Sequence, residues 1–111
     1  MKNENKFDIK EGTVSFWTKP GQIDFSGNQI MPMIQFDSPN GSIFIVKDDD
    51  KKIKFFHVYL GKGRTDVEHD VSGLDPKTEH MFAFTWSIKE RSLNIYIDGE
   101  LKNTTKIDYI K

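Results

Sequence analysis

Three carboxylates stand at alternate positions in "TDVEHDVS", residues 65–72: Asp66, Glu68 and Asp70. Alternate side chains of an extended chain leave the same face of the strand, so these acids form one row. Such a row suits three chemistries: a glycosidase's carboxylate pair, a site for a hard cation, or a wetted strand edge. Retaining hydrolysis needs two carboxyl groups roughly 5 to 5.5 Å apart, whereas residues four apart on a strand have Cα atoms roughly 13 Å apart. Only long outer side chains leaning inward would close that gap. Here the outer acids are the short Asp66 and Asp70 and the long Glu68 lies between them, the reverse of the need. The inverting separation of about 6.5 to 9.5 Å is within reach of Asp66 and Glu68, but both would project from one side instead of flanking a sugar. A general acid also needs an apolar pocket to raise its pKa, and the other face offers only Thr65, Val67, His69 and Val71. The row is therefore expected to be non-catalytic, its like charges discouraging an edge strand from pairing with other chains.

A hard cation is the better chemical match for clustered oxygens, since Ca²⁺ takes six to eight of them in irregular geometry. Besides the 66–70 row, "DDDKK" supplies Asp48, Asp49 and Asp50, although neither place has the D-x-D-x-D-G spacing of a calcium loop. No cofactor is required by these patterns and calcium is the one candidate. For "DDDKK" the expected role is a solvated hairpin tip, its acids offset by Lys51 and Lys52. The three histidines show no ligand spacing. His57 alternates with Phe55 and Tyr59, His69 lies opposite the acids, and His80 precedes a strand. His57 and Tyr59 are a candidate sugar-binding face, an aromatic ring beside hydrogen-bonding edges; the competing reading packs Tyr59 in the core with its hydroxyl at the rim. No Ser-His-Asp arrangement, G-x-G-x-x-G or P-loop is present.

The elements that must position these residues are bounded by composition. A chain of 111 residues predicts one domain, 1–111, around a single core. Charged residues make up 30%, yet the formal net charge is −1, so no basic surface for nucleic acid is expected. No apolar run approaches the roughly 18 residues of a membrane span, and "MKNENKFDIK" lacks the apolar stretch of a secretory signal. A soluble chain without membrane insertion is expected. Cys is absent, which excludes disulfides and Cys-based zinc sites.

Short runs rich in Phe, Ile, Val and Thr end repeatedly in turn residues, and no segment carries a helical apolar stripe, so the protein is expected to be all-β. "GTVSFWTKP" (12–20) places Val14, Phe16 and Thr18 on one face and Thr13, Ser15 and Trp17 on the other, before Pro20-Gly21 ends it. "IMPMIQF" (30–36) comes next, with Pro32 marking an edge strand or a bulge. Asn40-Gly41, read as a tight turn that tolerates positive φ, leads into "SIFIVK" (42–47). "IKFFHVYL" (53–60) precedes the acidic strand. "HMFAFTWSI" (80–88) and "SLNIYIDGEL" (92–101) form a hairpin across "KER", with Asp98-Gly99 as a turn, and "KIDYI" (106–110) is a candidate eighth strand. Seven or eight strands at this spacing predict a two-sheet antiparallel sandwich. An immunoglobulin-type sandwich is the structural rival, without the Cys and Trp marks of its antibody branch.

Two stretches, "KEGTVSFWTKPG" (10–21) and "HMFAFTWSIKERSLNIYIDGEL" (80–101), resemble the laminin-G-like, or concanavalin A-like, jelly-roll superfamily. There a strand of the type G-T-I-S-F-W-x-K-P is followed by a strand ending T-W and a partner ending Y-x-D-G. Trp17 and Trp86 are expected to fill the sandwich core. The resemblance also implies further strands at both ends, so this chain reads as a shortened jelly roll whose open edge calls for a partner or charged protection. In function, the resemblance implies a non-catalytic recognition or adhesion module for a glycan or surface protein, at the cell surface or outside it within a larger protein. The alternative is an assembly domain that completes its sandwich by self-association or against its parent protein, making a homo-oligomer.

Overall fold

The computed structural model describes residues 8–107. Eight strands succeed one another: β1 (Glu11–Thr18), β2 (Met31–Ser38), β3 (Gly41–Lys47), β4 (Lys52–Tyr59), β5 (Gly63–Asp70), β6 (His80–Ser87), β7 (Ser92–Ile97) and β8 (Glu100–Lys106). They make two four-stranded antiparallel sheets, ordered β1-β6-β7-β8 and β2-β3-β4-β5. The all-β sandwich expected from the alternating runs is what forms.

Alternation carries the apolar residues inward. In β6, His80, Phe82, Phe84 and Trp86 are buried while Met81, Ala83, Thr85 and Ser87 are half-exposed; β4 buries Ile53, Phe55 and His57 by the same period of two. Aromatic rings bridge the sheets. Phe55 of the second sheet meets Phe84 and Trp86 of the first at centroid separations of 5.5 and 6.1 Å, and within the first sheet Phe16 stacks on Phe82 and Phe84 at 5.8 and 6.0 Å. Trp86 also donates its indole N–H to the Asp8 carbonyl at 2.7 Å, tying the chain ahead of β1 to the core. Gly12 stands beside Trp86 in register, and a Cβ there would lie 2.5 Å from the indole Cζ2. The glycine of the G-T-V-S-F-W stretch thus makes room for the tryptophan of the other motif.

Three details depart from the sequence expectations. Trp17 is 65% exposed, because Phe16 and Val14 take the inward phase of β1 and leave Trp17 outside with Thr13 and Ser15. The run 92–101 splits at Asp98-Gly99, whose φ values of 54° and 85° close a two-residue hairpin, so the eighth strand is Glu100–Lys106. Of "KIDYI", all but Lys106 and Ile107 lies outside the described residues. Pro39 and Asn40 form the β2–β3 turn without a positive φ at Asn40 or Gly41. Gly41 is instead packed against the Val58 carbonyl. Pro32 behaves as expected: β2 is a sheet edge and its register shifts between Pro32 and Ile34.

Side chains tie further parts of the chain to the sandwich. Buried Lys47 donates to the Gly27 carbonyl, holding the 19–30 segment over β3. On one flank the Asn103 side chain donates to the Glu68 carbonyl at 2.6 Å, joining the edges of β8 and β5.

Candidate functional site

The 66–70 acids do leave one face of β5, outward, as the alternation requires. Their neighbours come from β4: Phe56 faces Asp66, Lys54 faces Glu68 and Lys52 faces Asp70. Glu68 accepts from Lys52 Nζ at 2.9 Å, a half-exposed pair, and Asp70 accepts the Ser72 backbone N–H at 2.8 Å. Hydrogen bonds from Ser72 hold the Asp70 carboxyl below its usual range. Arg64 lies over the Phe56 ring at 4.9 Å, and Phe56 stacks with Phe44 at 5.9 Å. The face therefore carries an ion pair between its rows, Lys52 with Glu68, beside the Arg64 and Phe56 contact.

At the β3–β4 tip, carboxylate oxygens of Asp48, Asp49 and Asp50 come within 4.8 Å of one another. Lys54 Nζ sits 3.0 Å from an oxygen of Asp48 and 3.0 Å from one of Asp50. The ammonium stands where a hard cation would draw its ligands, and its bonds to Asp50 and Asp48 raise the Lys54 pKa above its ordinary value. Asp48 is lowered, first by the Asp49 backbone N–H and then by Lys54. This geometry sets an expectation: Lys54→Met leaves the trio without its internal cation, so millimolar calcium should raise the melting temperature of the variant more than that of the native protein. Equal responses of the two proteins would count against Lys54 as the occupant.

His57 and Tyr59 do not form an outer sugar face. His57 is 0% exposed between the sheets, with Nε2 2.8 Å from the Ile9 carbonyl, and burial lowers its pKa. Tyr59 is half-buried and packs against the core. The physical reason is phase: these positions share the inward face of β4 with Phe55 and Ile53, and moving them outward would expose both.

A residue group that sequence reasoning missed is built around His80. The ring is buried at the start of β6, with Nδ1 2.7 Å from Asp98 Oδ2 and Nε2 2.7 Å from the Asp75 carbonyl. Thr78 Oγ1 lies 3.2 Å from Nε2. Asp98 also accepts the Met81 backbone N–H at 2.9 Å, so one carboxylate links the β7–β8 turn to β6. Both ring nitrogens face acceptors, which suits an imidazolium. Burial by itself would lower the His80 pKa, but the Asp98 carboxylate and the Asp75 carbonyl outweigh it and hold it above its ordinary value. A raised folded pKa contributes stability that is complete below the unfolded value of about 6.5 and is lost as pH rises through the folded value. In thermal melts from about pH 5.5 to about pH 8.5, the advantage of the native protein over His80→Gln should shrink as pH rises. A constant difference would show that the ring is neutral throughout.

The outer face of the first sheet has a different character. Register aligns Thr13, Thr85, Asn94 and Thr104 in one row across β1, β6, β7 and β8. Asn94 Nδ2 donates to Thr85 Oγ1 at 2.9 Å, and Thr104 Oγ1 donates to Asn94 Oδ1 at 2.6 Å. The row on one side is Ser15, Ala83, Tyr96 and Leu101, and beyond it stands Trp17. On the other side a shallow depression of about 420 Å³ is bounded by Glu11, Thr85, Ser87, Glu90, Ser92 and Asn94. Hydroxyls, an amide and two outward aromatic rings thus share one side of the molecule. A signal for this was present in the sequence, since Thr13, Ser15 and Trp17 alternate on one polar face of β1.

Sheet order, inward aromatic packing and the two motif strands together define a concanavalin A-like jelly-roll sandwich. A family model described as "Concanavalin A-like lectin/glucanases superfamily", of the laminin G type, matches residues 2–109, and the chain belongs to that family. No curated protein sequence matches it. Among solved structures, the receptor binding domain of botulinum neurotoxin D is similar at a TM-score of 0.71 and 19% identity, over 99% of this chain and 28% of that one. Domains LG4-5 of the mouse laminin alpha1 chain are similar at 0.64 and 16%, over 94% of this chain and 25% of theirs. The chain spans about a quarter of the length of these structures, and at such identities the likeness is one of fold.

Proposed function

We propose that the domain is a non-catalytic recognition module that binds carbohydrate on the outer face of the β1-β6-β7-β8 sheet, displayed outside the cell or on its surface as part of a larger protein. The observation that carries this reading is the hydroxyl and amide row Thr13, Thr85, Asn94 and Thr104 lying on the same face as Tyr96 and exposed Trp17. Sugars present both hydroxyl groups and apolar C–H faces, and a ligand of that kind is met by few placed polar groups beside aromatic rings. Membership of the superfamily and the likeness to a toxin's receptor binding domain and to laminin domains support recognition as the role. The ion pair of Glu68 with Lys52 and the row geometry of Asp66, Glu68 and Asp70 support a non-catalytic reading.

The test is a glycan array probed with the native domain and with Asn94→Ala and Tyr96→Ala. The native domain should select one sugar class, and both variants should lose most of that signal. Silence of the native domain on every glycan would favour a protein ligand. Undiminished binding by both variants would move the site to another face, the Asp66, Glu68 and Asp70 side being the next to examine.

A further inference from the structure

We infer that the free edge of β1 is a self-complementary interface, through which two copies of this chain pair antiparallel about Ser15 and join their first sheets. Among the described residues β1 has one ladder neighbour, β6. The Ile88 N–H donates to the Lys10 carbonyl at 2.7 Å, and in an antiparallel ladder bonded positions recur at every second residue. Gly12, Val14, Phe16 and Thr18 therefore exchange bonds with β6, while Glu11, Thr13, Ser15 and Trp17 direct their backbone N–H and C=O groups to the open side.

The other edges are defended. β5 carries Arg64, Asp66, Glu68 and Asp70 and is tied to β8 through Asn103, β8 carries Glu100, Lys102 and Lys106, and β2 is interrupted by Pro32 and its register shift. From Gly12 to Thr18, β1 has no charge, no proline and no bulge. Such a stretch is a template for strand addition.

Charge selects a second copy as the occupant. A two-fold axis at Ser15 sets Ser15 against the partner's Ser15, Thr13 against the partner's Trp17 and Val14 against the partner's Phe16. The same register sets exposed Glu11 against the partner's Lys19, and by symmetry Lys19 against the partner's Glu11. Thr13, Ser15 and Trp17, whose backbone groups face the open side, meet only one another, and beyond them Glu11 and Lys19, the charged residues at either end of the uncharged stretch, meet side chain to side chain, the Lys19 backbone being bonded to Gln22. The pairing also stands the partner's Trp17 beside Thr13 on the outer face, covering part of an indole that is otherwise in solvent.

Sedimentation of the native domain over increasing concentration should show a monomer–dimer equilibrium. Ser15→Pro removes an N–H that β6 does not use, so it should keep a native-like thermal melt and sediment as a monomer. Lys19→Glu should weaken the dimer by about tenfold, by setting like charges opposite one another twice. Glu11→Lys combined with Lys19→Glu should restore it. That recovery is one that misfolding cannot imitate, and it holds as the test even if Ser15→Pro fails to fold. A native domain that stays monomeric throughout, a dimer untouched by Ser15→Pro, or no recovery in the double reversal would overturn the interface.

Discussion

Trp86→Ala is expected to cost about 3–5 kcal/mol, against a total stability of about 5–15 kcal/mol for a domain of this kind. The ring is 5% exposed, lies 6.1 Å from Phe55 of the opposite sheet, and donates to the Asp8 carbonyl. Removing it opens a cavity at the junction of the sheets and leaves that carbonyl without its donor. Gly12, whose bare Cα allows the indole its place, would border the same hole. Chemical denaturation followed by tyrosine and remaining tryptophan fluorescence measures this directly. A variant within about 1 kcal/mol of the native protein would mean that the core collapses around the gap.

Gly41→Ala is expected to destabilise by an amount at or above the upper end of the roughly 1–3 kcal/mol typical of overpacking, lowering the melting temperature by more than about 10 °C. The added methyl would collide with the Val58 carbonyl oxygen and stand 2.9 Å from Ile9 Cγ1. Val58 belongs to β4, which pairs with β3 at this point, so its carbonyl moves only if the ladder moves. Gly12→Ala makes the instructive contrast. There the obstacle is an indole edge at 2.5 Å, a side chain that tips, and a cost of about 1–2 kcal/mol is expected. If the two glycine variants melted alike, side-chain and backbone obstacles would be equally yielding here.

The fold was largely legible because its information is local and periodic. Strands of period two, ended by Pro20-Gly21, the 48–51 tip and Asp98-Gly99, are set by side-chain alternation and turn chemistry before any tertiary contact exists. Asp98-Gly99 appeared as a turn inside an expected strand. That the chain continued beyond it as a new strand depended on Thr104 bonding to Asn94, a pairing that propensity alone does not encode for a run as polar as "ELKNTTK". The reason for Gly41 was likewise invisible. Asn-Gly suggested a left-handed turn, whereas the requirement comes from the Val58 carbonyl, remote in sequence and brought close by strand pairing.

The site was far less legible, because a face of a sheet gathers residues that are remote in sequence. Asp66, Glu68 and Asp70 announce themselves by adjacency, yet Lys52 meets Glu68 only through the β4–β5 register, and Lys54 on the same strand pairs instead with Asp48 and Asp50. Thr13, Thr85, Asn94 and Thr104 are unremarkable singly and become a surface when four strands align them. His80 and Asp98 show the same logic at the start of β6, a contact across 18 residues in which the Asp98 carboxylate helps to hold the His80 pKa above its ordinary value.

By itself the sequence determined the class of structure, the rough limits of its strands, and which residues share a face along each of them, since these come from turn residues and a repeat of two. It also decided that Trp17 would share a face with Thr13 and Ser15. Which of the two faces of β1 would meet the other sheet was decided by the tertiary structure alone, because burying Val14 and Phe16 against Phe82 and Phe84 joins a core, and burying Trp17 would have forced Thr13 and Ser15 in with it.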